Sequence, residues 1–316
     1  MAAKIFVDGH AGTTGLKIHE RLAKRDDVEI LKIEEELRKD LGRRRELLNE
    51  ADYVVLCLPD DAARESVALL DPDNRRTRVL DASTAHRTHP EWAYGFPELG
   101  RDYEQRIVAS RRVAVPGCHA SGFIAIVAPL VQLGLLDSNA ALACTSLTGY
   151  SGGGKAMIAE YEAPGSVVAA RGARPYALGL WHKHLPEMQA QAGLAHAPTF
   201  VPIVCNFAAG MIVSVPLLPF ARRKTCTALD VWKVLAEHYE GQRFVHVMPY
   251  EEQPTIDGGY LDPTALNGTN ELQIFVFGQA DRISVSARFD NLGKGASGAA
   301  VQNLNLMMGV AADAGL

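Results

Sequence analysis

Short apolar runs alternate with amphipathic stretches through the first third of the chain. Residues 4–8 form an apolar run of strand length. It leads into Gly9-His10-Ala11-Gly12-Thr13-Thr14-Gly15, and residues 16–24 then carry apolar positions at helical spacing. Residues 28–33 read as a second strand, and residues 35–49 are polar, basic and helix-prone. A third strand, 53–58, is closed by Pro59-Asp60-Asp61 and followed by a helical stretch, 62–70. Residues 79–81 read as a fourth strand, ending at Ser83-Thr84. Strand and helix in regular alternation predict a parallel, doubly wound α/β sheet.

Past residue 118 the texture changes. Residues 141–148 read as a strand and 150–155 as a Gly-rich turn. Residues 200–207 and 211–218 read as adjacent strands with Ala-Ala-Gly between them, 229–239 as a helix, and 271–276 and 282–289 as further strands. Strands joined by short turns predict an α+β domain with a mixed, largely antiparallel sheet. The last helix, 295–309, is rich in small residues, with Val301, Leu304, Met307 and Met308 as its apolar positions. The domain boundary is expected near Val115-Pro116, with the last helix returning to the first domain.

With 316 residues, the chain is long enough for two domains. A hydrophobic content of 47% with 22% charged residues is ordinary globular composition, and a net charge of −5 argues against nucleic-acid binding. The chain runs almost at once into a strand, so no signal peptide is expected, and no apolar run is long enough to span a bilayer. The five cysteines have no CxxC spacing, which argues against a disulfide framework or a structural zinc site. A reducing cytoplasm fits.

Among them Cys118 stands apart, in Val115-Pro116-Gly117-Cys118-His119-Ala120-Ser121-Gly122-Phe123 ahead of a long apolar run. Pro and Gly end a strand there, which sets the sulfur at or just before a helix N-terminus. Unpaired backbone N–H groups and the positive end of the helix dipole favour thiolate over thiol. Downstream, His182-Lys183-His184-Leu185-Pro186-Glu187 supplies two imidazoles, two residues apart, with Pro186 suited to a first helical turn. A cysteine nucleophile needs such a group to take or return a proton. A metal pair is a weaker reading, because no third ligand lies at a telling spacing.

Gly9, Gly12 and Gly15 between a strand and a helix are a variant of the dinucleotide fingerprint, with Thr13 and Thr14 as hydroxyl donors. Glu34, Glu35 and Glu36 would suit the ribose of NAD, whereas Arg38 and Lys39 would suit the 2′-phosphate of NADP. The residues themselves leave that choice open. Arg87 follows the fourth strand, at an end of the sheet that faces ligands in doubly wound folds, and could clamp a phosphate or carboxylate.

Together these segments, in order over nearly the whole chain, resemble the N-acetyl-gamma-glutamyl-phosphate reductases, in the shorter of the family's two types. The resemblance rests on the 9–15 loop, Pro116-Gly117-Cys118, the turn Gly149-Tyr150-Ser151-Gly152-Gly153-Gly154-Lys155, the segment 175–187, and Asp290-Asn291-Leu292-Gly293-Lys294-Gly295-Ala296-Ser297-Gly298. It implies a Rossmann NADP-binding domain over 1–115, joined by the C-terminal helix 295–316. A catalytic and oligomerisation domain would span 116–294, like that of aspartate-semialdehyde and glyceraldehyde-3-phosphate dehydrogenases. It further implies a cytoplasmic homodimer or homotetramer that reduces a small acyl phosphate through a cysteine thioester in arginine biosynthesis, without a metal. By the same resemblance Cys118 is the nucleophile and His184 the acid/base, while Arg87, His182 and Lys155 bind substrate. Gly9, Gly12, Thr13, Thr14, Gly15, Arg38, Ser83 and Asn291 would hold the cofactor. The chain departs from the long type at His119 and Leu185, where that type has an aromatic residue and Thr, and at Lys155, where it has Arg. The rival readings are an aspartate-semialdehyde dehydrogenase and a nucleotide-binding regulator without catalysis.

Overall fold

The first alternation folds into a six-stranded, all-parallel sheet. The structure, a computed structural model, describes residues 2–222, 225–280 and 282–316. The chain divides into two compact units, Met1–Gly117 with Ala296–Leu316, and Cys118–Gly295.

In the first unit the strands are β1 (Ala3–Asp8), β2 (Val28–Leu31), β3 (Tyr53–Leu56), β4 (Arg78–Asp81), β5 (Ala93–Tyr94) and β6 (Arg112–Ala114), in the spatial order β2-β1-β3-β4-β6-β5. Its helices are α1 (Thr13–Leu22), α2 (Leu41–Glu50), α3 (Asp60–Ala68) and α4 (Arg101–Ala109). Successive residues of β1 serve opposite cores. Ile5 and Val7 pack with Ile18, Leu22 and Val55, while Phe6 packs with Leu47, Leu48 and Val54. Burial on both faces is why these strands read as continuous apolar runs.

Two differences from the sequence reading have local causes. The helix-prone stretch 35–49 is broken into a 3₁₀ turn, Glu35–Leu37, and α2, because Asp40 caps α2 by accepting from the Arg43 N–H at 2.7 Å. The sheet also has one strand beyond those expected: β6 is the strand that Pro116-Gly117 ends, whereas β5 is two residues long, too short to show a period.

The second unit is built around α5 (Cys118–Gln132), which is buried on every side from His119 to Leu130. Against it lies a seven-stranded mixed sheet. Its elements, with the accompanying helices, are β7 (Ala143–Gly149), α6 (Gly154–Glu162), β8 (Arg174–Pro175), α7 (Leu185–Gln191), β9 (Thr199–Cys205), β10 (Met211–Leu217), α8 (Ala228–His238), β11 (Val245–Val247), β12 (Leu272–Gly278) and β13 (Ile283–Phe289). The spatial order is β11-β12-β13-β10-β7-β9-β8. β9 and β10 are therefore not partners, although they follow each other along the chain. β7 lies between them, parallel to β9 and antiparallel to β10. The connection between them passes over the end of β7, where the N–H groups of Gly149, Tyr150 and Ser151 donate to the carbonyls of Gly210, Phe207 and Ala208.

After a π-helical turn, Gly293–Ser297, the chain forms α9 (Gly298–Met308). Val301, Leu304 and Met307 enter the same core as Ile5 and Val7. The Asn303 amide donates to the Gly95 carbonyl and that of Gln302 to the Glu98 carboxylate. Among the described residues no helix is long and apolar enough to cross a membrane.

Candidate functional site

Each unit carries one chemically distinct cluster. In the first, β1 runs into the glycine loop. Gly9 has φ +89°, and a Cβ there would lie 2.4 Å from the Cys57 carbonyl oxygen, so only glycine fits the turn. A Cβ at Gly15 would lie 2.5 Å from the Gly9 oxygen, so the start of α1 passes directly over the loop. Gly12 is the extended N-cap of α1, and its N–H donates to the Gly9 carbonyl at 3.0 Å. Thr13 and Thr14 open the helix, and the Thr13 hydroxyl is buried with no hydrogen-bond partner.

The loop backs a cavity of about 610 Å³, also lined by Ile33, Arg38, Lys39 and Arg44. Arg44 is itself buried and donates to Asp8, Ser66 and Glu65. Of the acidic residues after β2, Glu34 pairs with Arg43 at 3.2 Å and Glu35 with Arg38 at 2.7 Å, and neither lines the cavity. An unsatisfied hydroxyl, a glycine loop at a helix N-terminus and cationic side chains fit a pyrophosphate with a further phosphate.

At the end of β4 a turn is organised on the buried Asp81 carboxylate. It accepts from the Ser83 N–H and hydroxyl at 2.8 and 2.7 Å, and His86 Nδ1 lies 2.6 Å away. The Ser83 oxygen accepts in turn from the Ala85 N–H, so this hydroxyl is engaged within the turn. Arg87 is buried, donating from Nε to the Val115 carbonyl and from Nη2 to that of Ala82.

In the second unit Cys118 is the first residue of α5. His119, the next residue, is 3% exposed; its Nδ1 lies 2.8 Å from Ser146 Oγ and its Nε2 2.8 Å from the Tyr176 hydroxyl. Its ring centroid lies 5.4 Å from that of His182 and 5.5 Å from that of His184, and the latter two are 4.7 Å apart and nearly perpendicular. His182 Nδ1 accepts from the His184 N–H at 3.1 Å, and the Leu185 N–H donates to the His182 carbonyl at 3.0 Å. These bonds close the turn into α7, with Pro186 in its first turn. Burial, reinforced by the charges of His182 and Lys183, pushes the His119 pKa down to about 3, so this imidazole is neutral. Burial and the nearby Cys118 charge push the Tyr176 phenol up, so it stays protonated.

The turn after β13 presses on the same cysteine. A Cβ at Gly295 would lie 2.9 Å from Cys118 Cβ, 3.2 Å from the Asp290 carbonyl oxygen and 3.3 Å from the Phe289 ring. The Asp290 carboxylate holds the turn by accepting from the N–H groups of Gly268 and Leu292, both at 2.8 Å. Asn291 is buried, accepts from the Gly210 N–H at 2.8 Å and donates to Ser151 Oγ at 3.1 Å. Lys155 is exposed near the start of α6.

The model of the semialdehyde dehydrogenase dimerisation domain matches residues 118–291. Over 320 residues the chain is 44% identical to N-acetyl-gamma-glutamyl-phosphate reductase 2 of Nostoc sp., covering 99% of each chain. Over 313 residues it is 46% identical to the N-acetyl-gamma-glutamyl-phosphate reductase of Brucella ovis, covering 98% of this chain and 100% of that one. The chain belongs to the N-acetyl-gamma-glutamyl-phosphate reductase family. Its fold is that of aspartate semialdehyde dehydrogenase from Francisella tularensis, with a TM-score of 0.73 at 14% identity over 98% of this chain and 100% of that chain.

In this member of the reductase family, His182 and His184 come together around the residue after Cys118. Gly9, Gly12, Thr13, Thr14, Gly15 and Arg38 gather at the glycine loop and its cavity. Ser83 and Asn291 have their side chains occupied by protein partners, in the Asp81 turn and in the brace between residues 151 and 210. The sequence reading gave His119, Ser146 and Tyr176 no role in the site. The signal for the first was a lone imidazole in an otherwise apolar helix, next to the cysteine.

Proposed function

We propose that the protein is an NADPH-dependent N-acetyl-gamma-glutamyl-phosphate reductase, which converts the 5-phosphate to N-acetylglutamate 5-semialdehyde and phosphate in arginine biosynthesis. The observation that carries this reading is identity of 44–46% over essentially the full length of relatives so named. The position of Cys118 at the start of α5, one residue from a cluster of imidazoles, supports it.

In the proposed mechanism the Cys118 sulfur attacks the acyl carbon, and the C–O bond to phosphate breaks to leave a thioester. Backbone N–H groups at the α5 start stabilise the oxyanion, at roughly 3 kcal/mol per donor. NADPH, when bound, supplies the hydride. His184 gives the proton to the thiohemiacetal oxygen on reduction and takes it back as the C–S bond breaks, which frees the aldehyde and restores Cys118. Arg87 is the proposed holder of the leaving phosphate, with His182 and Lys155 as further substrate contacts. Gly9, Gly12, Thr13, Thr14 and Gly15 receive the pyrophosphate and Arg38 the 2′-phosphate, with Ser83 and Asn291 as further cofactor residues. The first unit, with the last helix, is then the cofactor domain and the second the catalytic one, in a cytoplasmic homodimer or homotetramer.

The test runs the reaction backwards, from N-acetylglutamate semialdehyde, phosphate and NADP, with aspartate semialdehyde as control. Phosphate-dependent NADPH formation from the acetylated substrate alone is expected, and its loss in Cys118→Ser with cofactor binding kept. Turnover by Cys118→Ser at an appreciable rate would overturn the thioester, and activity with aspartate semialdehyde alone would replace the substrate.

A further inference from the structure

Three groups in the wall of the cysteine site form a chain whose direction is fixed by burial. Ser146 Oγ, His119 and the Tyr176 hydroxyl are joined by contacts of 2.8 Å at the two ring nitrogens. Ser146 is fully buried in β7. Among the described residues its hydroxyl has no hydrogen-bonding partner except His119 Nδ1. If it only accepted from that nitrogen, its own proton would be stranded in the interior. Ser146 therefore donates to Nδ1, which leaves the single proton of the neutral ring on Nε2. Nε2–H donates to the Tyr176 oxygen, and the Tyr176 proton is directed away from the ring.

We infer that Ser146 and His119 are positioning residues that hold Tyr176 as a hydrogen-bond donor to the acyl oxygen of the substrate bound at Cys118. This inference rests on the proposed reading of Cys118 as the nucleophile. The ring that fixes the tyrosine is carried by the residue next to that nucleophile, on the same helical turn. No bond is made or broken at Tyr176. As negative charge grows on the attacked oxygen the donated hydrogen bond strengthens, so the contribution falls on the transition state rather than on binding. A phenol kept protonated by burial and by the cysteine charge is suited to donate. A neutral His119 keeps the chain pointing one way, because an imidazolium would have to donate at both nitrogens.

The test combines a tautomer measurement with kinetics on the full chain. ¹⁵N NMR of histidine-labelled protein should show His119 neutral with its proton on Nε2; a proton on Nδ1 or an imidazolium would overturn the direction of the chain. Tyr176→Phe should lower kcat on the order of 10²-fold while KM for the acyl substrate stays within about threefold. His119→Phe should match it, and the double variant should be no more than about threefold worse than Tyr176→Phe alone, since both remove one donor. His119→Gln, which keeps an N–H donor, should recover part of the loss. A full additional loss in the double variant, or an unimpaired Tyr176→Phe, would overturn the inference. Should His119→Phe fail to fold, Tyr176→Phe and the tautomer still decide it. Wild-type protein inactive on the acetylated substrate would instead count against the function proposed above, and the tautomer would remain a test of the chain.

Discussion

Replacing Gly295 by Ala should displace Cys118 without touching a titratable or reactive group. The new Cβ would start 2.9 Å from Cys118 Cβ. Apolar carbons settle at roughly 3.5–4.0 Å, so about 0.6–1.1 Å must be found. Retreat is blocked by the Asp290 carbonyl oxygen at 3.2 Å and the Phe289 ring at 3.3 Å. Neither neighbour is the free end of a flexible side chain, since Phe289 is fully buried and Asp290 is fixed by two backbone bonds. The start of α5 is what yields. A displacement near 1 Å at a reacting group costs about 10²-fold in rate, or roughly 2.7 kcal/mol in the barrier. Overpacking should cost about 1–3 kcal/mol of stability. The assay is kcat in the reverse direction, alongside NADP affinity and thermal unfolding. kcat should fall on the order of 10²-fold while NADP affinity holds, because the glycine loop belongs to the other unit. A Gly295→Ala protein with kcat within about threefold of wild type would refute the claim that this turn sets the sulfur's position.

Three further outcomes follow from the geometry. Arg78 donates to the carbonyls of Ile107, Val108 and Ser110 at the end of α4 and of Met307 in α9; Arg78→Met should destabilise the protein by about 2–4 kcal/mol, read by denaturant unfolding, and an unchanged midpoint would contradict it. His119 has its pKa lowered to about 3 in the folded state, so its contribution to stability is complete above about pH 6.5 and is lost as the pH falls from there towards 3, at up to roughly 1.4 kcal/mol per unit. Unfolding free energies at pH 7 and 5 should therefore differ more in wild type than in His119→Asn by about 2 kcal/mol, and equal differences would place the ring's titration elsewhere. Replacing Arg38 and Lys39 together by Ala should raise KM for NADPH by about tenfold or more and leave KM for NADH nearly unchanged; parallel changes in both would remove these residues from 2′-phosphate recognition.

The parts of the fold that were legible in the sequence are those whose physics is local. β1, β3 and β4 are buried on both faces, so they appear as apolar runs whatever lies around them. The 9–15 loop is legible because chain meets chain there too closely for side chains. β5 is too short to show a period, and Asp40 interrupts a stretch whose composition alone favours helix. The placing of β7 between β9 and β10 depends on bonds from residues 149–151 to residues 207–210, and nothing local records it. In the site, the histidine pair was legible from its spacing. The meeting of His119 with Ser146 and Tyr176 joins residues 27 and 57 positions apart, which pattern cannot bring together.

The segment 290–298, one of those on which the sequence resemblance rests, is occupied chiefly with bracing. Asp290 fixes its own turn by two backbone N–H groups, and Asn291 ties residue 210 to Ser151 in the Gly-rich turn. Gly293 passes where a Cβ would lie 2.0 Å from the Thr269 carbonyl oxygen, and Gly295 passes Cys118. Each of these residue types answers a steric or hydrogen-bonding demand of one turn packed against the start of α5. A nucleophile at a helix start has its backbone held by the helix on one side only, so the free side needs a support of its own. The turn after β13 supplies that support with backbone atoms, which cannot rotate away as side chains can. The residue types of a stretch with no nucleophile thus answer to the place where Cys118 must sit.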